Sequence, residues 1–342
     1  MTDLEVENKK QSTQGADMKT RKLEGLIAAA HTAFNADGSV NYDVIPKQAA
    51  MLIKQKVTGV YVSGTTGEGV HCSTEERKRV MDAWVKAAKG KLFLIAHVGS
   101  LSLPDTQELA KYAQEVGMDA TSIVPPCFFR PGSIQGLIDY INEALKYAQK
   151  LPFYYYHTSM SGVNFDMEAF LKAADGKIKN LAGIKFNYPD LYMYQRCIRA
   201  CGGKYDITWG IDEWFAGAVA LGAKSAIGST YNYSAGIYYK IWDAVKTGDL
   251  KKAEKGQAKA VAAVEKLDKN IQKNKEKIAD KKKDIEKYNQ KIKEAQEDIK
   301  KLESEIAKDE QKKAGAQKDV EKANDNVRNV QGEVEKYRQQ AE

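Results

Sequence analysis

From residue 25 onward the chain alternates short apolar runs with amphipathic stretches. The apolar runs cover residues 25–34, 59–64, 92–98, 119–126, 152–157, 181–187, 205–210 and 225–229. Short runs that are apolar on both alternate positions predict strands buried on two faces, as in a parallel sheet. The stretches between them carry apolar residues at helical spacing. One covers 42–55, and others begin near Leu103, Ser133, Asp166, Pro189, Asp212 and Ser234. Another opens with Ser73-Thr74-Glu75-Glu76, where Ser73 can cap the helix and Glu76 can answer it. Eight strand–helix units within about 225 residues predict a closed (β/α)8 TIM barrel. A doubly wound open sheet would place a GxGxxG turn after its first strand, whereas this strand ends Ala33-Phe34-Asn35-Ala36-Asp37-Gly38.

Near Asp249 the pattern changes. Apolar residues now recur every seven positions: Val264, Ile271, Ile278, Ile285, Ile292, Ile299, Ile306, Val320, Val327, Val334 and Ala341, broken only at Lys313. Three positions later stand Leu267, Tyr288, Ala295, Leu302, Ala316, Ala323, Val330 and Tyr337, with Asn274, Lys281 and Asp309 as polar exceptions. Such a sustained a/d heptad predicts a long helical coiled-coil C-terminal segment. The polar residues 309–315 mark a hinge or the turn of a helical hairpin. The expected organisation is a disordered polar arm over 1–22, a barrel over 23–250 and the helical extension over 251–342.

Charge and composition narrow the function classes. The net charge is +7, but residues 251–342 hold 25 Lys/Arg against 20 Asp/Glu, and the rest of the chain 28 against 26. Neither part is basic enough to argue for nucleic acid. No apolar run approaches the roughly 20 residues of a membrane helix. Cys72, Cys127, Cys197 and Cys201 form no CxxC pair, which suggests free thiols and a cytoplasmic location. The four histidines lack zinc-ligand spacing, so no metal is expected.

The chemistry gathers at strand ends. Leu181-Ala182-Gly183-Ile184-Lys185-Phe186 is an apolar strand interrupted by one lysine. Burying an ammonium is costly, so its pKa falls, and the neutral amine is a nucleophile that condenses with ketones. A lysine whose head merely reaches water is the alternative for the strand alone. After the second strand, Ser63-Gly64-Thr65-Thr66-Gly67-Glu68-Gly69 can cradle a small anion with backbone N–H groups and two hydroxyls. In Phe153-Tyr154-Tyr155-Tyr156-His157, alternation puts Tyr154 and Tyr156 on one face and Tyr155 on the other. A tyrosine near the lysine can relay protons. After strands seven and eight come Gly210-Ile211-Asp212-Glu213 and Gly228-Ser229-Thr230-Tyr231-Asn232, whose acids either favour a helix N-terminus or bind hydroxyls of a polyol.

The Gly64-Thr65-Thr66-Gly67-Glu68 turn, the Tyr156 strand end and Gly183-Ile184-Lys185, in this order, resemble the N-acetylneuraminate lyase and dihydrodipicolinate synthase family of pyruvate-dependent class I aldolases. The resemblance covers about residues 23–265. It implies that Lys185 forms a Schiff base with pyruvate, that Tyr156 relays protons, and that Thr65 and Thr66 hold the pyruvate carboxylate. The sialic-acid branch is the most similar, which implies sugar contacts from Gly210, Asp212, Glu213 and Ser229. Asn187 stands where a Ser or Thr often meets the carboxylate of the sugar acid. No arginine follows Tyr156 until Arg196, whereas dihydrodipicolinate synthases carry one soon after that tyrosine. The loop Tyr156-His157-Thr158-Ser159-Met160-Ser161-Gly162 lacks the family's proline and is one residue shorter. The implied reaction is cleavage of N-acetylneuraminate to N-acetylmannosamine and pyruvate, with no cofactor beyond the covalent adduct. The alternatives are another pyruvate-dependent aldolase of the family, or a coiled-coil assembly protein with an inactive barrel. The expected partners are the small-molecule substrate, a homo-oligomer (a tetramer by resemblance), and coiled-coil self-association or another helix, with no nucleic acid or membrane.

Overall fold

The computed structural model describes residues 22–341; the expected N-terminal arm lies outside the described residues apart from Lys22. Eight parallel strands form a closed barrel in chain order: β1 (Gly25–Ala29), β2 (Gly59–Val62), β3 (Phe93–His97), β4 (Ala120–Ile123), β5 (Phe153–Thr158), β6 (Leu181–Asn187), β7 (Asp206–Trp209) and β8 (Ser225–Gly228), with β8 pairing back onto β1. The barrel expected from the sequence is therefore the fold of this chain. Several strands are shorter than their apolar runs. After Ala29 the chain leaves the barrel, and Phe34 pairs only in an isolated bridge with Val40.

Helices α1 (Ile45–Lys54), α2 (Thr74–Ala88), α3 (Leu103–Val116), α4 (Ile134–Ala144), α5 (Met167–Ala174), α6 (Leu191–Arg199), α7 (Phe215–Ala220) and α8 (Tyr231–Lys246) follow the strands. Their starts are written locally. Ser73 and Glu76 close a reciprocal capping box on α2, while Ser102, Ser133, Asp166 and Asp190 cap α3 to α6. α8 begins at Tyr231, three residues before the Ser234 start read from the sequence.

Strand alternation sorts side chains into two cores. Leu26, Ala28, Val60, Val62, Leu94, Ala96, Tyr155, Ile184 and Phe186 face outward into the helix layer. Ile27, Ala29, Tyr61, Ile95, Ala120, Tyr154, Tyr156, Ala182 and Ile227 fill the lumen. On β6 the alternation is reset. Phe153 pairs with Leu181 but Tyr154 pairs with Gly183, so Ala182 is an extra residue, a bulge. A Cβ on Gly183 would stand 1.7 Å from the Asp206 carbonyl oxygen, so only glycine fits beside the bulge. Leu181 and Lys185 share parity, yet Leu181 faces outward while Lys185 lines the barrel mouth. The bulge turns the lysine inward.

Asp206 is a buried acid in the lumen. It accepts the Leu23 N–H at 2.8 Å and the Tyr154 hydroxyl at 3.2 Å, and burial pushes its pKa from 3.8 up to about 6. Ionising it in the folded state therefore costs stability. That cost is absent below the unfolded value and complete above about 6. Asp206→Asn is expected to gain about 1–3 kcal/mol relative to the wild type between pH 4 and pH 7. Denaturant titrations at both pH values check this, and parallel pH dependence of the two proteins would refute it.

α9 (Leu250–Ala341) is one uninterrupted helix. The chain divides after Glu265: the first turns of α9 belong to the barrel unit, burying Ala253 and Ala260, and Lys266 onward forms a second unit. The hinge or hairpin turn expected at 309–315 is not there. A single Gly315 among helix-forming neighbours costs only about 1 kcal/mol, too little to stop a helix without a proline. The heptad a residues are about half exposed along this unit, for example Ile271 at 51% and Ile299 at 54%. Among the described residues no helix is long and apolar enough to cross a membrane, and no cluster of three or more His, Cys, Asp or Glu side chains could hold a metal. The four cysteines are unpaired.

Candidate active site

Every residue to which the family resemblance gives a catalytic or binding role lines one cleft of about 220 Å³, formed by the C-terminal ends of the strands: Thr65, Thr66, Tyr156, Lys185, Asn187, Gly210, Asp212, Glu213 and Ser229. Ala29, Met160, Ile211, Ile227 and Gly228 complete its wall. Larger clefts are present elsewhere, one of about 780 Å³ around Lys22, Thr58 and Lys89, but none of these residues contributes to them.

Lys185 pairs in register with Tyr156 on β5 and Thr208 on β7. It is 5% exposed, and its Nζ sits between two aromatic rings, 4.0 Å from the Tyr61 centroid and 3.9 Å from that of Tyr156. Among the described residues it has no ion pair. Burial holds its pKa below the ordinary value, while the Tyr156 phenol and the Asp212 carboxyl pull it partly back up. Burial alone would raise the Tyr156 phenol; the Lys185 charge and hydrogen bonding by Thr65, Lys185 and Thr158 outweigh it and hold the phenol below its ordinary value. Its hydroxyl lies 3.4 Å from Thr65 Oγ1. The amine and the phenol are thus coupled, each shifting the other's proton affinity.

The loop after β2 is held under strain. Ser63 and Glu68 both take left-handed φ, 56° and 51°, without being glycine. The Gly69 N–H donates to the Gly64 carbonyl at 3.1 Å, and a Cβ on Gly69 would meet the Ser63 oxygen at 2.0 Å. Among the described residues nothing accepts from the Thr65 and Thr66 backbone N–H groups, which leaves two donors open at the cleft.

Asp212 is buried in the wall of the cleft. Its Oδ2 accepts the Thr230 N–H at 3.0 Å and the Thr230 hydroxyl at 2.7 Å, and the Tyr231 hydroxyl also bears on this carboxyl. Burial raises its pKa. A Cβ on Gly228 would fall 1.7 Å from Oδ1, so glycine there keeps the space. Asn187 Nδ2 donates to Thr158 Oγ1 at 3.4 Å, tying the end of β6 to the end of β5. Glu213 is exposed and Ser229 half-buried at the rim.

Four supporting residues escaped the sequence reading. Tyr61 forms the other wall around Lys185 and donates to Ser122 Oγ at 2.9 Å. His97 packs edge-on to Tyr156 with ring centroids 6.2 Å apart. Its Nδ1–H donates to the Ser63 carbonyl at 3.2 Å and its Nε2 accepts the Val124 N–H at 3.3 Å, so it is neutral in one tautomer; burial drives its pKa well down. Arg77 is buried and binds the His97 and Gly99 carbonyls at 2.6 and 3.0 Å. Gln257 on α9 donates to the Asp212 carbonyl at 3.1 Å and accepts the Ala216 N–H at 3.0 Å. The sequence signal for Tyr61 was its even spacing from Ser63. His97, Arg77 and Gln257 act on backbone atoms far away in sequence and carry no local signal.

The chain matches the profile of the dihydrodipicolinate synthetase family over residues 22–306. The chain belongs to this family. It is a class I aldolase, with the family's lysine strand and Gly-Thr-Thr loop meeting in one cleft. An N-acetylneuraminate lyase of Proteus mirabilis is 51% identical and superposes with a TM-score of 0.70, over 72% of this chain and 83% of that one. The N-acetylneuraminate lyase of Aliivibrio salmonicida is 49% identical, with a TM-score of 0.71 over 72% of this chain and 82% of that one. The Xenopus tropicalis N-acetylneuraminate lyase is 39% identical over 240 residues, 69% of this chain and 78% of that protein.

Proposed function

We propose that this aldolase cleaves N-acetylneuraminate to N-acetylmannosamine and pyruvate through a Schiff base on Lys185. The observation that carries the reading is the buried Lys185 amine, without an ion pair among the described residues, between the Tyr61 and Tyr156 rings in the cleft that Thr65 and Thr66 line. The Lys185 amine attacks the C2 ketone of the opened sugar acid, and loss of water leaves a protonated imine. The substrate carboxylate lies on the Thr65 and Thr66 N–H groups. The Tyr156 phenolate takes the C4 hydroxyl proton as the C3–C4 bond breaks. The bonding electrons pass into the imine and give an enamine, and N-acetylmannosamine leaves as the aldehyde. Tyr156 returns its proton to C3, and water hydrolyses the imine to pyruvate and free Lys185.

The Asp212 carboxyl in the cleft wall favours a polyhydroxylated acceptor, since a sugar hydroxyl can donate to it. A second carboxylate would need a cation in this cleft. Arg196, the first arginine after Tyr156, is held by Asp166 and Glu168. Arg130 packs against Gly162 and donates to the Cys127 carbonyl, and neither arginine lines the cleft. The test is reduction with borohydride in the presence of pyruvate, followed by peptide mapping and assay of aldehyde acceptors. The expected result is a pyruvyl adduct on Lys185 and turnover with N-acetylmannosamine. An adduct on another lysine, or preference for aspartate semialdehyde, would overturn the proposal.

A further inference from the structure

The second unit of α9 presents an apolar stripe, and its period says what covers it. Ile278, Ile285, Ile292, Ile299, Ile306 and Val320 stand 54–59% exposed in a seven-residue repeat interrupted only at Lys313. A straight helix drifts about 20° per heptad against such a repeat, so the stripe stays continuous only when two helices with the same repeat supercoil. We infer that residues 266–341 pair with the same segment of a second copy of this chain, antiparallel and in the register centred on Ser304.

The charges decide orientation. In a parallel pair, like positions meet. Lys281, Asp309 and Lys313 would each face their own copy within the seam. At its flanks each g position meets the e position five residues on, bringing together Lys277 with Lys282, Asp298 with Glu303 and Glu305 with Glu310; only Glu333 with Arg338 attracts. Antiparallel pairing sets a against d, g against g and e against e. Centred on Ser304, it joins Lys277 to Glu333, Lys291 to Asp319, Asp298 to Lys312 and Asp268 to Arg338, each twice by symmetry. Only Glu303 and Glu305 meet their own copies. The polar seam residues are separated too: Lys281 faces Val327, Asp309 faces Ile299 and Lys313 faces Ala295.

Shifted registers are worse: a slide of two heptads toward the barrel joins Lys277 to Asp319 and Asp284 to Lys312 but sets Lys281 against Lys313 inside the seam. Sliding one heptad one way brings Asp284 to Asp319 and Lys291 to Lys312; sliding the other way brings Asp284 to Glu333 and Asp298 to Asp319. The paired charged side chains are exposed and so free to reach across. Lys312, Asp298 and Arg338 already make i,i+3 pairs along the helix, at 3.0, 3.6 and 3.9 Å, too exposed to compete strongly. Pairing within one chain is excluded by the unbroken helix through Ser304.

The test uses the full chain carrying Ile278→Cys and Val330→Cys, with Cys127→Ser to remove the exposed native thiol. Oxidation is expected to give a covalent dimer whose mapped peptides join position 278 to position 330. Links of 278 to 278 and 330 to 330 would mean parallel pairing and overturn the inference. A 278–330 link inside a monomer, or no dimer, would overturn it as well. Adding Lys277→Glu is expected to slow the 278–330 link about fivefold, and further adding Glu333→Lys to restore it. Acceleration by Lys277→Glu alone, through relief of the Lys277–Lys282 repulsion, would instead indicate the parallel pair.

Discussion

Lys185→Met removes turnover by ~10⁴-fold or more, the scale on which enzymes lose rate when a covalent nucleophile is deleted. The same variant becomes more stable, by about 1–3 kcal/mol. Both effects share one cause. Lys185 is buried between two rings without an ion pair, so the fold bears the desolvation of an ammonium that methionine does not require. A structural lysine would behave oppositely, since removing it would lose contacts and lower stability. Steady-state assays and urea unfolding of the variant check the two halves. Retained turnover, or a destabilised protein, would count against Lys185 as the nucleophile.

Tyr156→Phe is expected to lower kcat by ~10²–10⁴-fold, the range attributed to a positioned proton donor or acceptor. Its pH behaviour is more diagnostic. Tyr156 opposes the burial effect on Lys185 and keeps that amine's pKa from falling further. Without the phenol, burial acts with less resistance, Lys185 deprotonates at lower pH, and the acid limb of pyruvate trapping moves to lower pH. Imine formation then survives while cleavage stalls. Trapping yield against pH, set beside kcat for the same protein, checks this. A shift of the limb to higher pH would contradict the assigned coupling.

Much of the site was legible because barrel enzymes concentrate chemistry at the C-terminal ends of strands. Eight apolar runs in barrel order bring Thr65, Thr66, Tyr156, Lys185, Asp212 and Ser229 onto one rim. The supporting shell was not legible. Arg77 reaches from α2 to carbonyls beyond β3, and Gln257 reaches from α9 to the Asp212 carbonyl. Such bonds join residues that no local spacing relates. The extension divides the same way: its heptads specify a helix, and 309–315 stays helical because polar residues other than Gly and Pro cost little helix propensity.

By itself the sequence determined the strand and helix order, the caps at Ser73 and Asp166, and the residue types at each strand end. These depend on spacing of two, 3.6 or seven residues, which a chain carries into any environment. Only the tertiary structure decided which way Lys185 points. Strict alternation from Leu181 sends it outward, and the extra residue Ala182, fitted where Gly183 passes the Asp206 carbonyl, sends it inward to Tyr61 and Tyr156. A bulge is set by the neighbouring strand's register, so its consequence for the nucleophile exists only once the barrel has closed.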